Sequence, residues 1–310
     1  MIRQILKKFA GLLVGAVALL SLAQGAQAAD RLKPYVLASN GPGDMQAKID
    51  DVKAALTKAG FDIVGNYAPY DGADIIIFTN DELKKVAAMS DMGGFAAPQR
   101  ASVTKVGNDI QVSYTNPVYM ANAYRLKNDL SRVSDELAKA LGREKTFGSE
   151  RGLTASDLRD YHYTFGMEYF DDPYHLAKYS SYDAAVKAVE QHLKTNKVGV
   201  RPLYRIDIPG KQETVIGVSM KAPPNGDEHM DDAWQMHIVD FQPLKETAYL
   251  PYEVMVLGNK VVALHMRFRM AVNFPDLSMM GEHSFFKLMS SPAAIGKALT
   301  IAVGGQPSDF

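Results

Sequence analysis

His265, Arg267 and Arg269 recur at alternate positions inside an otherwise apolar stretch, Val262 to Phe274. Side chains alternate across a β-strand, so a strand here brings three donor-bearing groups to one face. Two guanidinium forks and an imidazole on one surface are the chemistry that holds a carboxylate or another oxyanion. The same groups can instead pair with acids of a neighbouring element or with solvent. The opposite face of such a strand reads Val262, Leu264, Met266, Phe268, Met270, Val272 and Phe274, which makes Met266 and Met270 core residues.

A second donor set is softer. Residues 220–289 hold nine of the 15 methionines and four of the seven histidines. No cofactor is predicted on the main reading; thioether with imidazole selects Cu(I), so copper belongs to an alternative reading, with His229, Met230, Met236, His237 and His283 as its ligands. Neighbouring residues of an extended chain point to opposite faces, so no adjacent His-Met pair chelates alone. Convergence from separate elements is required.

Other chemistry is excluded or unmarked. The chain has no cysteine, which removes disulfides, thiol nucleophiles and Cys-ligated metals. No Gly-x-Ser-x-Gly elbow and no His-Glu-x-x-His helix occurs. The turn Gly41-Pro42-Gly43-Asp44 lacks the Lys-Ser/Thr of a phosphate loop and reads as a strand-to-helix turn capped by Asp44. Asp171-Asp172 and Asp231-Asp232 read as solvated turn residues. No catalytic residue is assigned. With 34 basic against 35 acidic residues, no positive field favours nucleic acid.

The elements that must position these groups follow an export leader. Arg3, Lys7 and Lys8 precede the apolar run Phe9 to Leu22, and Ala26-Gln27-Ala28 supplies a small-x-small cleavage site. Residues 1–28 are therefore expected to be removed, leaving a periplasmic protein with no stable membrane insertion. Residues 31–142 then run strand (Tyr35–Ala38), helix (Ile49 to Ala59), strand, the β-branched strand Asp74–Phe78, a helix capped by Asn80, and a hairpin turning at Gly107-Asn108. Val118 to Leu141 reads as one long helical tail. An aromatic-rich bridge, 143–171, carries Tyr161, Tyr163, Tyr169 and Phe170, which suit a seam between domains.

Residues 172–304 repeat the outline, with a helix from Tyr182, a hairpin turning at Pro209-Gly210, a strand Trp234–Phe241, and a hairpin turning at Gly258-Asn259. The predicted class is α+β: two related units, each a small antiparallel-rich sheet packed against helices.

The order helix ending in Ala59-Gly60-Phe61, apolar strand before Asn80, short helix, Pro98-led hairpin and Tyr114-Thr115-Asn116-Pro117 resembles the bacterial domain of unknown function 302. The resemblance covers most of residues 45–120; the second half, with its Phe274-Pro275-Asp276-Leu277 end, resembles a divergent copy carrying the strand pair 203–220 as an insertion. It implies a small α+β fold and no activity.

The expected function is a non-catalytic accessory module binding an acidic small molecule or a periplasmic protein, with His265, Arg267 and Arg269 as the binding row. Copper handling through the Met/His segment is the alternative. A hydrolase with an unmarked site is the second.

Overall fold

The structure is a computed structural model and describes residues 30–195 and 197–307; the expected leader, 1–28, lies outside the described residues. The first sheet starts with β1 (Tyr35–Pro42). Asp44 ends that strand by accepting the Ala47 N–H and so caps α1 (Met45–Lys58), whose Ile49, Val52 and Leu56 recur on one buried face. Next come β2 (Asp62–Tyr67) and β3 (Ala73–Thr79), the latter buried along its whole length. Asn80 caps α2 (Asp81–Ala88), and a 3-10 turn, Gly93–Ala96, leads into the hairpin β4 (Gln99–Val106) and β5 (Asp109–Thr115).

The expected single tail helix is two helices, α3 (Pro117–Ala123) and α4 (Ser131–Leu141). Arg125 and Leu130 take positive φ between them, at 53° and 57°, and turn the chain while Leu126, Leu130, Val133 and Leu137 stay buried. The bridge contributes β6 (Lys145–Phe147), which pairs with β1, and the short α5 (Ala155–Arg159).

The second sheet is built by β7 (Tyr174–Lys178), β8 (Val200–Asp207), β9 (Glu213–Met220), β10 (Tyr252–Leu257) and β11 (Lys260–Ala263). Its helices are α6 (Tyr182–Lys194), α7 (Asp232–Val239), α8 (Met266–Asn273) and α9 (Ser291–Ala302). Two expected strands are thus helices. Trp234–Phe241 falls mostly in α7, because Asp231 accepts the Ala233 and Trp234 N–H groups and starts a helix there. Val262–Phe274 is a strand only to Ala263; His265 then caps α8 by accepting the Arg267 N–H.

The strand orders are β2-β3-β4-β5-β1-β6 and β8-β9-β10-β11-β7. Without β6 they are the same: each sheet places its first strand beside its fifth, and every neighbour is antiparallel. The hairpin β8–β9 therefore occupies the place of β2–β3, and is not the insertion expected from the sequence. Irregularities match too, with a one-residue shift in β2 after Ile63 and in β8 after Pro202. This is the expected α+β class in two related units.

From Leu32 onward the chain is one compact unit, and its halves exchange connectors. The 3-10 turn Gly93–Ala96 lies on β9 and β10, while the corresponding 3-10 turn Thr247–Tyr249 lies on β3, β4 and β5. Gly94 makes the first approach possible, since a Cβ there would stand 3.0 Å from both Met255 Sδ and Val215 Cγ2. The second is fastened by Thr104 Oγ1 donating to Thr247 Oγ1 at 2.9 Å. Both apolar clusters mix residues of the two halves, so neither sheet buries its faces alone. No helix among the described residues is long and apolar enough to cross a membrane.

Candidate functional site

The row His265, Arg267, Arg269 does not form. On a helix, residues two apart project about 200° apart, so these side chains leave α8 in different directions. Arg267 is exposed and donates to Glu168 Oε1 at 2.9 Å. The His265 ring lies 4.2 Å from that of Tyr174, and burial pushes its pKa down to about 4. A neutral ring makes Nδ1 an acceptor for the Arg267 N–H, 3.3 Å away, and not an ionic partner for Glu168 at the same distance.

Arg269 is only 1% exposed. Its Nη2 donates to Tyr249 O at 2.6 Å and Pro251 O at 2.5 Å, and its guanidinium lies 4.0 Å from the Tyr249 ring centre and 4.4 Å from that of Tyr252. Its Nε stands 3.7 Å from Glu253 Oε2, while Glu253 Oε1 accepts from Arg100 of the other sheet and from Tyr204 OH. This arginine joins the halves.

The soft-ligand residues have these surroundings. His229 Nδ1 lies 2.7 Å from Asp227 Oδ1, and its ring meets Trp234 edge-on. Met230 and Met236 are buried in the core, His237 is exposed, and His283 Nδ1 lies 2.7 Å from Ile238 O. Among the described residues no three His, Cys, Asp or Glu side chains approach closely enough to hold a metal ion.

A cleft of about 750 Å³ opens among the described residues. One wall is β6 with the turn after it, a second is the loop from Val239 to Glu246, and a third is Phe274–Leu277 beyond α8. Gly148 shapes the floor. Its φ is +92°, and a Cβ would meet Pro34 Cγ and Tyr35 Cδ2 at 2.7 Å and Glu246 Oε1 at 3.0 Å. Only glycine lets the chain turn there and leaves the Glu246 carboxyl uncovered.

The Glu246 loop is clamped. Gln111 of β5 donates from Nε2 to Pro243 O at 2.9 Å and accepts the Lys245 N–H at 3.0 Å. Asp240 accepts the Glu246 N–H at 2.9 Å, and Lys245 Nζ donates to Asp240 O at 2.8 Å. The facing wall is held by Asp276, which accepts from Ser149 Oγ and the Glu150 N–H. Phe147 packs on Tyr35 and Phe274 on Tyr249, with ring centres 5.6 Å and 5.1 Å apart. Phe241, 43% exposed, stacks on His283 at the rim.

Within this frame Glu246 is 7% exposed as a residue, and its carboxyl has no hydrogen bond or ion pair among the described residues. Burial, then the nearby Asp240 and Asp276 carboxylates, hold its carboxyl well above the usual range. Burial also pushes Asp240 up to about 6. The lining is half apolar and half polar or charged, and it contains a carboxyl of displaced pKa, a combination that marks a candidate ligand site.

No sequence signal singled out Glu246. Its only mark is its position just before the buried run Thr247–Val256. A third buried acid, Asp232, accepts from Tyr67 OH at 2.7 Å and the Met220 N–H at 2.9 Å, and burial raises it to about 7. It belongs to the pair read as solvated; instead Asp231 caps α7 and Asp232 lies inside the fold. Asp171 and Asp172 do sit in an exposed turn, paired with Arg125 and the Tyr169 N–H.

No protein-family model and no curated protein matches the chain. Among similar solved structures is the crystal structure of uncharacterized conserved protein DUF302 from Bacillus stearothermophilus, at 14% identity, covering 36% of this chain and 98% of that chain with a TM-score of 0.32.

Proposed function

We propose that the chain is an exported periplasmic protein made of two tandem copies of a DUF302-like unit, the second divergent, and that it acts as a non-catalytic module binding a small ligand in the cleft over Glu246. The carrying observation is that carboxyl: 7% exposed, without a protein partner, on a loop clamped from both sides. Its oxygens are not sealed off from the cleft, so a donor that enters can bond to them. The non-catalytic reading rests on the hydroxyl at the cleft wall: Ser149 Oγ is held between Asp276 and the Gly152 N–H as a turn fastener.

The test is ligand-observed NMR of the full chain with a small-molecule panel, alongside Thr146→Trp, which fills the cleft from an exposed position. Compounds that bind the native protein and not the variant support the reading. Compounds that bind both equally place the site elsewhere. The leader reading has its own check: N-terminal sequencing of the periplasmic form is expected to begin at Ala29 or Asp30, and Met1 from a membrane pellet would contradict it.

A further inference from the structure

We infer, resting on the cleft reading above, that the ligand is a small organic amine with an apolar body, its cationic end seated against the Glu246 carboxyl and its body against the phenylalanine rings. Acids outnumber cations at the buried end of the cleft, where Asp240 and Asp276 raise the pKa of Glu246 and Lys245 alone lowers it. Glu246 stands there with Asp240 behind it, and the Lys245 ammonium is turned to the Asp240 backbone carbonyl at 2.8 Å. Asp240 is itself engaged, by the Glu246 N–H and Thr247 Oγ1, so Glu246 is the acid left to meet a ligand.

The rim does not reverse this. Lys33 and Lys145 line the cleft, but so do Glu150 and Asp276, and their charges offset. An anionic ligand would therefore enter a site whose only unpartnered buried group is another acid. The walls favour the opposite sign, since Phe147, Phe241 and Phe274 line the same space and aromatic faces attract cations. An ammonium brought to Glu246 forms a charge-assisted hydrogen bond with its carboxylate form, which a neutral alcohol cannot match.

Three probes of one shape decide the point: 2-phenylethylamine, 2-phenylethanol and 3-phenylpropanoate, titrated into the full chain with binding followed by calorimetry and NMR. The amine is expected to bind at least about tenfold tighter than the alcohol, and Glu246→Gln is expected to erase that preference while leaving alcohol affinity unchanged. Equal binding of amine and alcohol, or preference for the acid, overturns the amine assignment and leaves the cleft as a ligand site. Failure of all three to perturb the native protein overturns the cleft reading as well. If Glu246→Gln does not fold, the three affinities of the native protein still decide the ligand's charge.

Discussion

Glu246 and Glu253 lie on either side of the Leu250–Pro251 peptide, and both are nearly sealed from solvent, at 7% and 2% exposure. Glu253 sits on β10 with its oxygens toward Arg100 and Arg269 and a third donor in Tyr204. Its charge is met from both halves of the molecule. Glu246, on the connector preceding that strand, has two acids and one cation, Lys245, as charged neighbours, and the Lys245 ammonium donates to the Asp240 backbone instead. Burial therefore does not distinguish a site from a core; partnership does. A buried acid closed by arginines fastens the fold, whereas one left open at a cleft keeps its bonding capacity for something that arrives.

The largest expected effect falls on the closed site. Arg269→Ala leaves Glu253 short of a partner and removes a guanidinium packed between two tyrosine rings, and is expected to cost about 3–5 kcal/mol in urea unfolding. Arg267→Ala, two positions away, removes only a half-exposed pair with Glu168 and is expected to cost less than about 1 kcal/mol. Equal losses would contradict the helical placement of the two arginines.

Asp232 is intermediate, having two hydrogen-bond donors but no cation within bonding reach, and it extends the comparison to pH. Its pKa is raised from 3.8 to about 7, so between those values the native state holds a proton that the unfolded chain has lost. Stability contributed by this group is present at low pH and falls as pH rises toward 7, by on the order of 4 kcal/mol. Asp232→Asn, which keeps an acceptor for Tyr67 and Met220, is expected to flatten that fall. Denaturation midpoints at pH 5 and pH 8 measure it, and an unchanged slope would assign the pH dependence to other acids.

Two smaller effects bound the account. Gly148→Ala forces a side chain into positive φ against Pro34 and Tyr35, and is expected to cost about 1–3 kcal/mol and to weaken ligand binding at the cleft floor. Met270→Leu, a volume-conserving change in the core, is expected to cost less than about 1.5 kcal/mol by thermal unfolding. A larger loss there would mean the methionine does more than fill space.

Much of the fold was legible because turns and caps announce themselves locally. The Gly107-Asn108 and Gly258-Asn259 hairpins, the Asp44 and Asn80 caps and the apolar strand Ala73–Thr79 all stand where their residue types place them. The repeat was legible in outline. The failure at 262–274 has a physical cause: α8 is buried on nearly every side, so its apolar residues carry no helical period, and alternation with Arg267 and Arg269 imitates a strand. Its cap is a histidine, outside the usual capping residues. Met266 and Met270 are nevertheless buried, as expected, because positions four apart share a helix face just as alternate positions share a strand face.

The candidate site was less legible. Glu246 becomes distinctive only when β6, the clamped connector and the end of α8 meet around it. Those three segments are far apart in the chain, and nothing local to Lys245-Glu246-Thr247 reports that the carboxyl is enclosed.

The central claim, that Glu246 is enclosed without a partner and kept for a ligand, is tested most directly by its own titration. Carboxyl ¹³C NMR of the full chain, with the resonance assigned by its loss in Glu246→Gln, follows that one group from acid to alkaline pH. Glu246 is expected to titrate well above an ordinary glutamate, and its midpoint to fall when 2-phenylethylamine is added. A midpoint in the ordinary glutamate range, unmoved by the amine, would show a solvated carboxylate and contradict the account.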